Sequence, residues 1–410
     1  MSKSTKEDFV RLENCLACES QDLRTILDLG LQPLANSYHQ GEELSKYPLQ
    51  LNVCQNCFHL QLSCAINPDL MFRNYLYVSG TSETLRKYFD FFAEKTLEYF
   101  PEAKEILDIA CNDGSQLDSY KKIGLGTHGI DPASNLFEDC LKKGHEVICD
   151  YFNQETLKKF GNRKFDIITA QNVFAHTRHV EDFLLACKKI MHDQTHLFIQ
   201  TSQANMVVNN EFDTIYHEHV SFFNSFSMKT LVERCGLHLV DIFKTDVHGT
   251  SYVFVISSFK KEEKPGVQLN LNSEEKLGIL SPLTYPKYAL NCYIATENLA
   301  KKIWELKNEG YLVAGYGAAA KGNTLLNFGN IQLDFILDDN PLKQELLTPG
   351  RNIRILGPNF LESISEEKKI AFVPLAWNFY EEIKRRIQKI RNVEGDLFLK
   401  YFPTLTIEKR

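Results

Sequence analysis

The chain has 410 residues, more than a single hydrophobic core normally organises, so we expect two or three domains. Its 46 Lys and Arg residues against 53 Asp and Glu residues give a formal charge of −7, which argues against a general nucleic-acid binder. The eleven cysteines are an odd number and no signal-peptide core precedes them, so a disulfide framework is not expected. No run of about 18 apolar residues occurs, which predicts a cytoplasmic protein without a membrane span.

Two Cys-x-x-Cys pairs lie near the N-terminus, Cys15 with Cys18 and Cys54 with Cys57. Each pair places two thiolates on one tight turn, and two such turns provide the four sulfur ligands of a closed Zn²⁺ site. The sequence therefore predicts a small zinc-binding domain over residues 1–72, with structural rather than catalytic zinc. Four reduced cysteines without a metal are the alternative. Two nearby residues are second choices as ligands: His59 and Cys64.

A Rossmann-like sheet is predicted over residues 73–260. An apolar strand at 105–110 ends in the turn Cys111–Gly114, and an amphipathic helix follows, so a ligand would meet the carboxyl end of this strand. Later strands end in acids or in the polar run 171–176, as in class I S-adenosylmethionine methyltransferases. A generic α/β sheet without cofactor is the alternative. The predicted cofactor-binding residues are Asp108, Asn112, Asp113, Gly114, Asp131, Asp150 and Asn172.

A second Rossmann-like domain is predicted over residues 276–410. The charged segment Phe259–Glu275 before it has the composition of an inter-domain linker. Within the domain, an apolar strand runs into small residues and Lys321, which favours phosphate at a helix N-terminus although the Walker A order is absent. A solvated helix lysine is the alternative for Lys321. The predicted substrate-binding residues of this domain are Tyr316, Gly317, Lys321 and Asn323.

Four consecutive residues that can carry or hold a proton lie between the two α/β regions: Tyr216, His217, Glu218 and His219. This density suggests acid–base chemistry or a metal site. A polar loop with a locally satisfied Glu–His pair is the alternative. A cofactor-type sheet before the motif and a phosphate-type turn after it favour chemistry.

These motifs together resemble the three-domain nucleotide-sugar C-methyltransferases, which methylate keto-deoxysugars. The resemblance rests on the two cysteine pairs, the segment Tyr75–Ser79, the turn Cys111–Gly114, the Tyr216–His219 motif and the turn Gly315–Gly322. It implies an α/β protein with a zinc domain, a central S-adenosylmethionine domain and a C-terminal domain that helps to bind the nucleotide-linked sugar. The catalytic residues it implies are His219 as the base, with Tyr216, Glu218, Tyr77 and His176. It also implies that Tyr77 is a substrate contact and that Tyr75 is a cofactor contact.

The implied reaction begins with removal of a proton from the carbon next to a 4-keto group, with C3 as the default carbon. The substrate would be a keto-deoxysugar linked to dTDP or GDP, and the protein a monomer or homodimer. An O- or N-methyltransferase on a nucleotide sugar or other small metabolite is the first alternative. A non-catalytic zinc-ribbon protein is the second, and the lack of G-x-G-x-x-G disfavours a nicotinamide-dependent enzyme.

Overall fold

The computed structural model describes residues 8–72, 79–81, 83–202, 205–247 and 249–409. These residues fall into two compact units. Those within 1–24, 52–204 and 218–281 form the first unit, and those within 25–51, 205–217 and 282–410 form the second. Two residues with predicted roles, Tyr75 and Tyr77, lie outside the described residues. Within the described ranges, no helix is both long enough and apolar enough to cross a bilayer.

Short strands and the two cysteine turns make up the N-terminal region. Its elements are β1 (Phe9–Arg11), β2 (Leu23–Pro33), β3 (Lys46–Cys54), β4 (Leu60–Leu62), β5 (Cys64–Ile66) and α1 (Asp69–Phe72). β1 pairs antiparallel with β5. The chain leaves the first unit near the start of β2 and returns to it within β3.

Seven strands form the main sheet of the first unit, as the sequence predicted. The strands that follow the N-terminal region are β6 (Glu105–Ile109), β7 (Gly126–Asp131), β8 (Glu146–Cys149), β9 (Ile167–Gln171), β10 (His196–Thr201), β11 (Ser221–Phe222), β12 (His238–Thr245) and β13 (Ser251–Ser257). The sheet order is β12-β13-β10-β9-β6-β7-β8, and only the pairings of β13 are antiparallel. The chain switches direction across the sheet between β6 and β9, where open α/β sheets bind their ligands.

Helices cover both faces of this sheet. The helices of the first unit are α2 (Glu83–Leu97), α3 (Ser115–Lys122), α4 (Ser134–Lys142), α5 (Val180–Ile190), α7 (Ser225–Arg234) and α8 (Pro265–Lys276). Between α5 and α7 in the sequence, α6 (Met206–Asn209) belongs to the second unit. The neighbours Ile106 and Leu107 on β6 are both fully buried but belong to separate apolar clusters. Successive strand residues point to opposite faces, so each face has its own core.

The predicted linker Phe259–Glu275 is wrong in its second half, which forms most of α8. Pro265 stands in the first turn of α8, where its missing N–H has no partner to lose. Val267 is buried in the core, and the buried Glu274 carboxylate accepts hydrogen bonds from the Ser225 N–H at 2.8 Å and the Tyr252 hydroxyl at 2.5 Å. The charged composition of this segment predicts a linker because only a few of its residues face the core and make specific contacts.

We expect Glu274→Ala to lower the free energy of unfolding by about 2–4 kcal/mol, because it leaves buried donors without an acceptor. Urea unfolding followed by far-UV circular dichroism measures the change. Glu275→Ala is the matched control, since this neighbour on α8 is exposed. Equal unfolding midpoints for the two variants would show that the Glu274 contacts contribute nothing.

The second unit contains a parallel sheet, which confirms the predicted α/β architecture of the C-terminal part. Its elements are α9 (Thr284–Asn308), β14 (Leu312–Tyr316), α10 (Ala320–Phe328), β15 (Phe335–Leu337), β16 (Ile355–Leu356), β17 (Ile370–Pro374), α11 (Tyr380–Ile390), β18 (Leu397–Lys400) and β19 (Thr406–Lys409). The order is β16-β15-β14-β17-β18-β19. Only the β18–β19 pair is antiparallel.

Candidate active site

The four predicted zinc ligands converge in the first unit. The sulfur atoms of Cys15 and Cys57 are 3.5 Å apart, as are those of Cys18 and Cys54, and all four lie within 4.8 Å of one another. Tetrahedral Zn²⁺ with bonds of about 2.3 Å to sulfur places its ligands about 3.8 Å apart, so the cluster fits the ion with small shifts. Four thiolates leave no coordination position for a substrate, which makes the site structural.

Both cysteine pairs use the same local turn. The N–H groups of Glu19 and Phe58 donate to the carbonyls of Cys15 and Cys54 at 2.8 and 3.0 Å, and both residues have positive φ, 64° and 55°. Hydrogen bonds from neighbouring thiols, that of Cys15 first, lower the pKa of Cys54, and the same contact raises the pKa of Cys15 to about 12. One thiolate therefore forms readily, and a bound cation is needed to stabilise four.

The two second-choice ligands lie outside the cluster. The buried ring of His59 packs on Phe223 with 4.5 Å between centroids, and its Nε2 is 3.3 Å from the Ser221 hydroxyl. Burial lowers the pKa of His59 to about 3 and raises the pKa of Cys64 to about 11. Both are therefore neutral core residues at physiological pH.

The turn after β6 has a backbone that few side chains tolerate. Ala110, Asn112 and Gly114 have φ of 62°, 51° and 76°. A Cβ at Gly114 would lie 3.1 Å from the ring of His145. This turn lies next to the β6–β9 switch point, so it presents backbone groups where a cofactor is expected.

Asn112 and Asp113 also hold a neighbouring segment. The Asn112 side-chain oxygen accepts the N–H of Ser79 at 3.0 Å, and Asp113 accepts the N–H of Gly80 at 3.1 Å. The segment leading into α2 is thereby fixed to the turn. The cofactor roles of Asn112 and Asp113 remain predictions.

Two predicted carboxylates lie near the strand ends: Asp108 is buried on β6, and Asp131 is half-buried at the end of β7. Asp108 accepts a hydrogen bond from Thr169 Oγ1 at 2.6 Å, and burial raises its pKa to about 7. The oxygens of Asp131 accept the N–H groups of Asn112 and Ala133 at 2.9 and 2.8 Å, and burial raises its pKa. Each carboxylate oxygen has two lone pairs, so Asp131 keeps capacity for ribose hydroxyls.

Asp150 has a different environment. It follows β8 and forms an ion pair with Lys159 at 2.7 Å, while its other oxygen accepts the N–H of Tyr151 at 2.8 Å. This half-exposed pair is a surface contact, and the predicted cofactor role of Asp150 is untested.

The ends of β9 and β10 carry four buried side-chain atoms without a hydrogen-bond partner among the described residues: Gln171 Oε1, Asn172 Oδ1, Gln200 Nε2 and Thr201 Oγ1. The Tyr88 hydroxyl donates to Gln200 at 2.8 Å and Gln171 donates to Gln116 at 2.8 Å, so both amides are oriented. An unpaired buried group costs about 1–3 kcal/mol. β9 pairs with β6, so these atoms lie beside the cofactor turn and fit the polar groups of S-adenosylmethionine.

Of these residues, the sequence analysis singled out only Asn172. The sequence does contain a pattern that indicates Gln171, Gln200 and Thr201, because two neighbouring parallel strands both end in polar side chains. Tyr88 has no such signal, since it reads as one apolar position of an amphipathic helix.

His176 and His219 are brought together in the first unit. Their ring centroids are 5.1 Å apart, and the His176 ring is parallel to that of Phe72 at 5.7 Å. His219 is buried, whereas His176 is half-buried. Burial lowers the pKa of His176 to about 4. Near neutral pH, His176 is therefore an uncharged imidazole with one N–H to donate.

Backbone hydrogen bonds hold His219 in place through its neighbour Val220. The Val220 N–H donates to the Ala175 carbonyl at 2.8 Å, and the Val220 carbonyl accepts the N–H of Leu62 at 2.9 Å. Ala175 immediately precedes His176, so one of these bonds also fixes the spacing of the two imidazoles.

The Tyr216–His219 motif is divided by the unit boundary. Tyr216 and His217 belong to the second unit, whereas Glu218 and His219 belong to the first. Tyr216 is half-buried and Glu218 is buried. The His217 Nε2 donates to the Pro48 carbonyl at 3.3 Å, and burial lowers its pKa to about 4. These are the contacts of a structural histidine.

The small-residue turn of the second unit precedes α10. Gly317 has φ of 85°, and a Cβ there would lie 3.0 Å from that of Ala376. The Lys321 ammonium lies 4.7 Å from the centre of the Trp377 ring. The first N–H groups of α10 have no acceptor within the helix, so Lys321 and these groups can meet an anion.

Asn323 and Tyr316 are both largely committed to protein contacts. The Asn323 amide donates to the Ala35 carbonyl at 2.8 Å, but its buried Oδ1 has no donor among the described residues. The Tyr316 hydroxyl donates to the Asp339 carboxylate at 3.0 Å. Only Asn323 therefore keeps an unsatisfied atom for a ligand.

Asp213 is a buried acid that the sequence analysis did not single out. Its Oδ2 accepts the indole N–H of Trp377 at 2.7 Å, and burial raises its pKa to about 6. Trp377 in turn lies beneath Lys321. A loop carboxylate gives no sequence signal of burial, because burial here depends on contacts with Trp377, 164 residues away.

Three family models match successive parts of the chain: a zinc binding domain at residues 15–72, a methyltransferase domain at 77–242 and a C-methyltransferase C-terminal domain at 246–403. The C-methyltransferase NovU of Streptomyces niveus is 30% identical over 394 residues, covering 92% of this chain and 93% of NovU. This chain belongs to the C-methyltransferase family.

Other proteins match smaller parts of this C-methyltransferase. A ubiquinone biosynthesis O-methyltransferase of Cupriavidus pinatubonensis is 22% identical over 169 residues, covering 38% of this chain and 68% of that protein. A solved SAM-dependent methyltransferase of Archaeoglobus fulgidus is 15% identical and covers 42% of this chain and 94% of that chain, with a TM-score of 0.35.

Membership of this family is consistent with the four-cysteine cluster and with the cofactor-type turn of the first unit. This C-methyltransferase takes its methyl group from S-adenosylmethionine, binds structural zinc through four cysteines and acts on a small molecule. The predicted resemblance, α/β fold and cofactors are confirmed. Membership of this family favours C-methylation over O- or N-methylation and over a non-catalytic zinc-ribbon protein.

We expect about one zinc ion per chain in the purified protein, and Cys54→Ser to reduce this content to near zero because three sulfurs hold the ion poorly. Elemental analysis measures the metal, and thermal unfolding should show a lower midpoint. Cys64→Ser is the matched control, since Cys64 is a nearby buried cysteine outside the cluster. Full zinc content in Cys54→Ser would exclude the four-thiolate site.

Asp108 should make the cofactor-free protein less stable as pH rises. Its folded pKa of about 7 lies above the ordinary value of 3.8, so the folded state holds a proton that the unfolded state releases between these values. Folding stability therefore falls across this window and is lowest above it. Asp108→Asn keeps the acceptor for Thr169 but cannot ionise. The decrease in folding stability with rising pH should therefore be smaller by about 1–4 kcal/mol in this variant.

Urea unfolding at about pH 5 and about pH 8 measures this effect. Relative to wild type, Asp108→Asn should have a higher free energy of unfolding at the higher pH than at the lower pH. The same difference at both pH values would mean that Asp108 is ionised in the folded protein.

Proposed function

We propose that this C-methyltransferase methylates the carbon next to the ketone, C3 by default, of a nucleotide-linked 4-keto-6-deoxy sugar. The observation that carries the proposal is the buried His219 beside the uncharged His176, with ring centroids 5.1 Å apart. The sugar class is supported by the combined resemblance of the motifs to nucleotide-sugar C-methyltransferases. The protein would work in the cytoplasm as a monomer or homodimer.

His219 is the proposed general base. A proton next to a ketone is acidified, and a positioned histidine typically accelerates its removal about 10²–10⁴-fold. Because the pKa of His176 is lowered to about 4, that ring stays uncharged when His219 takes the proton. Two adjacent imidazolium cations are thereby avoided, which helps His219 to act near neutral pH.

The enolate oxygen that forms needs a hydrogen-bond donor, and one well-placed donor is worth about 3–4 kcal/mol. His176, Tyr216 and Tyr77 are the proposed candidates. His176 is supported by its proximity to His219 and by its retained N–H. Buried Glu218 would hold an imidazole in one tautomer or bind a sugar hydroxyl.

The cofactor subsite is proposed at the β6–β9 switch point of the first unit. S-adenosylmethionine, when bound, supplies an electrophilic methyl group to the carbon that His219 has deprotonated. Asp131 would accept the ribose hydroxyls, and the turn at Asn112–Gly114 would contact the cofactor through its backbone. Asp108 and Asn172 would line the same edge; Tyr75 and Asp150 are retained as further predicted contacts.

The nucleotide part of the substrate is proposed to bind the second unit. Lys321 and the first turn of α10 favour a diphosphate. The Asn323 Oδ1, which has no donor within the part of the chain that the structure describes, is an acceptor for a ligand hydroxyl or N–H. Gly317 lets the backbone approach the phosphates, and Tyr316 supports the turn. We accordingly propose the division 1–72, 73–260 and 276–410 as zinc, methyltransferase and nucleotide-sugar domains.

A turnover panel tests the substrate class. 4-keto-6-deoxy sugars linked to dTDP, GDP and UDP are incubated with enzyme and S-adenosylmethionine and analysed by mass for the gain of one methyl group. Solvent deuterium should enter the carbon next to the ketone when the methyl donor is omitted, since deprotonation precedes transfer. No methyl gain across the panel would refute the proposed substrate class.

We expect His219→Asn to lower kcat by at least about 10²-fold, because the deprotonation step loses its base. Affinity for S-adenosylhomocysteine, measured by calorimetry, should stay within about twofold, and solvent exchange at the substrate carbon should disappear. His179→Asn is the matched control, a histidine of the same unit whose side chain is 59% exposed. Near-normal turnover in His219→Asn would remove His219 from the role of base.

A further inference from the structure

The 25-residue helix α9 carries apolar side chains on its outer face as well as on its inner face. The inner face is buried in the second unit through residues such as Leu299 and Ile303. On the outer face, the side chains of Leu290, Ile294 and Trp304 are 58%, 46% and 67% exposed. The outer face of a surface helix is normally polar, so these three residues indicate a surface that a partner covers.

The exposed residues of α9 have the spacing of a helix–helix contact. The exposed positions 290, 294, 297, 301 and 304 are four, three, four and three residues apart. This is the alternation of the a and d positions of a heptad, whose side chains enter a neighbouring helix. Glu297 and Lys301 occupy the two positions between Ile294 and Trp304. We call this row of five residues, from Leu290 to Trp304, the α9 stripe.

Other exposed apolar residues of the second unit lie beside the N-terminal half of α9. Val208 is exposed on α6, which packs on α9. The Tyr293 hydroxyl donates to the Asp28 carbonyl on β2 at 3.3 Å, and the exposed Leu31 follows about 10 Å further along that strand. The apolar surface at this end of the stripe is therefore wider than one row of helix residues.

The two charges of the α9 stripe make it complementary to a second copy of itself. Suppose that two α9 helices lie antiparallel, with Glu297 opposite Lys301 of the second copy. The two-fold symmetry then repeats this ion pair, because Lys301 lies opposite Glu297 of the second copy. The same register places Ile294 opposite Trp304 of the second copy, about 7 Å along the helix on either side of the two-fold axis.

Other arrangements of two α9 helices lose this complementarity. An antiparallel register shifted by one heptad places Glu297 opposite Ile294 or Asn308, so both ion pairs disappear. A parallel pair in register places Glu297 opposite Glu297 and Lys301 opposite Lys301, which are repulsive contacts. The charges of the stripe therefore favour one antiparallel register.

We propose that two copies of this C-methyltransferase associate through the α9 stripe in a two-fold symmetric dimer. Trp304 of each copy covers Ile294 and Leu290 of the other, and the two Glu297–Lys301 ion pairs lie at the centre. A contact of this type uses the same surface on both copies, so it closes at two. The proposal selects the homodimer over the monomer and does not depend on the identity of the substrate.

Sedimentation equilibrium of the full-length protein over a range of concentrations measures the association. Wild type should approach twice the chain mass of 47.2 kDa. Trp304→Ala should raise the dimer dissociation constant by at least about 100-fold, because aromatic anchors dominate such contacts and the symmetry removes two of them. Ile294→Asp should act in the same direction. Leu342→Asp is the matched control, since Leu342 is an exposed apolar residue of the same unit outside the stripe.

A charge exchange tests the register. Glu297→Lys and Lys301→Glu should each weaken the dimer about tenfold, because like charges then face each other twice, and the double variant should regain the wild-type dissociation constant. A double variant as weak as the single variants would overturn the proposal, as would a dimer that Trp304→Ala leaves unchanged. A mass of one chain at every concentration would also overturn it, and would leave the stripe to a partner of different sequence.

Discussion

Val220 joins the parts of the first unit on which the proposed chemistry depends. Its N–H donates to Ala175, in the loop after β9, and its carbonyl accepts the N–H of Leu62 on β4. β4 lies a few residues beyond the second zinc turn. The metal therefore stabilises more than its own turns, because it fixes one of the two segments that hold His219. A structural zinc site and a proposed catalytic base share this one peptide link.

Several polar groups of both units are buried at a cost in free energy. Asp108, Asp131 and Asp213 have raised pKa values because burial removes water from their charged form. The ends of β9 and β10 add amide and hydroxyl atoms that have no hydrogen-bond partner among the described residues. Without a ligand, these buried polar groups lower the stability of the folded protein. Hydrogen bonds from a bound cofactor or nucleotide can offset that loss.

The strands and turns were predictable because their cause is local. Strands such as Ile370–Pro374 are apolar throughout since parallel strands are buried on both faces, and the Cys-x-x-Cys spacing defines a zinc turn by itself. Buried polar groups were not predictable in the same way. Asp213 and Glu274 look like solvated acids in the sequence, and only Trp377, Ser225 and Tyr252, distant in the chain, make them interior residues.

The alternation of the chain between the units has a consequence for dissecting this enzyme. Six segments alternate, 1–24, 25–51, 52–204, 205–217, 218–281 and 282–410, so the chain crosses from one unit to the other five times. No single cut releases either unit as a continuous polypeptide. Exchange of the C-terminal part between relatives would have to carry residues 25–51 and 205–217 with it. Selection on the second unit therefore acts on three separated stretches of sequence at once.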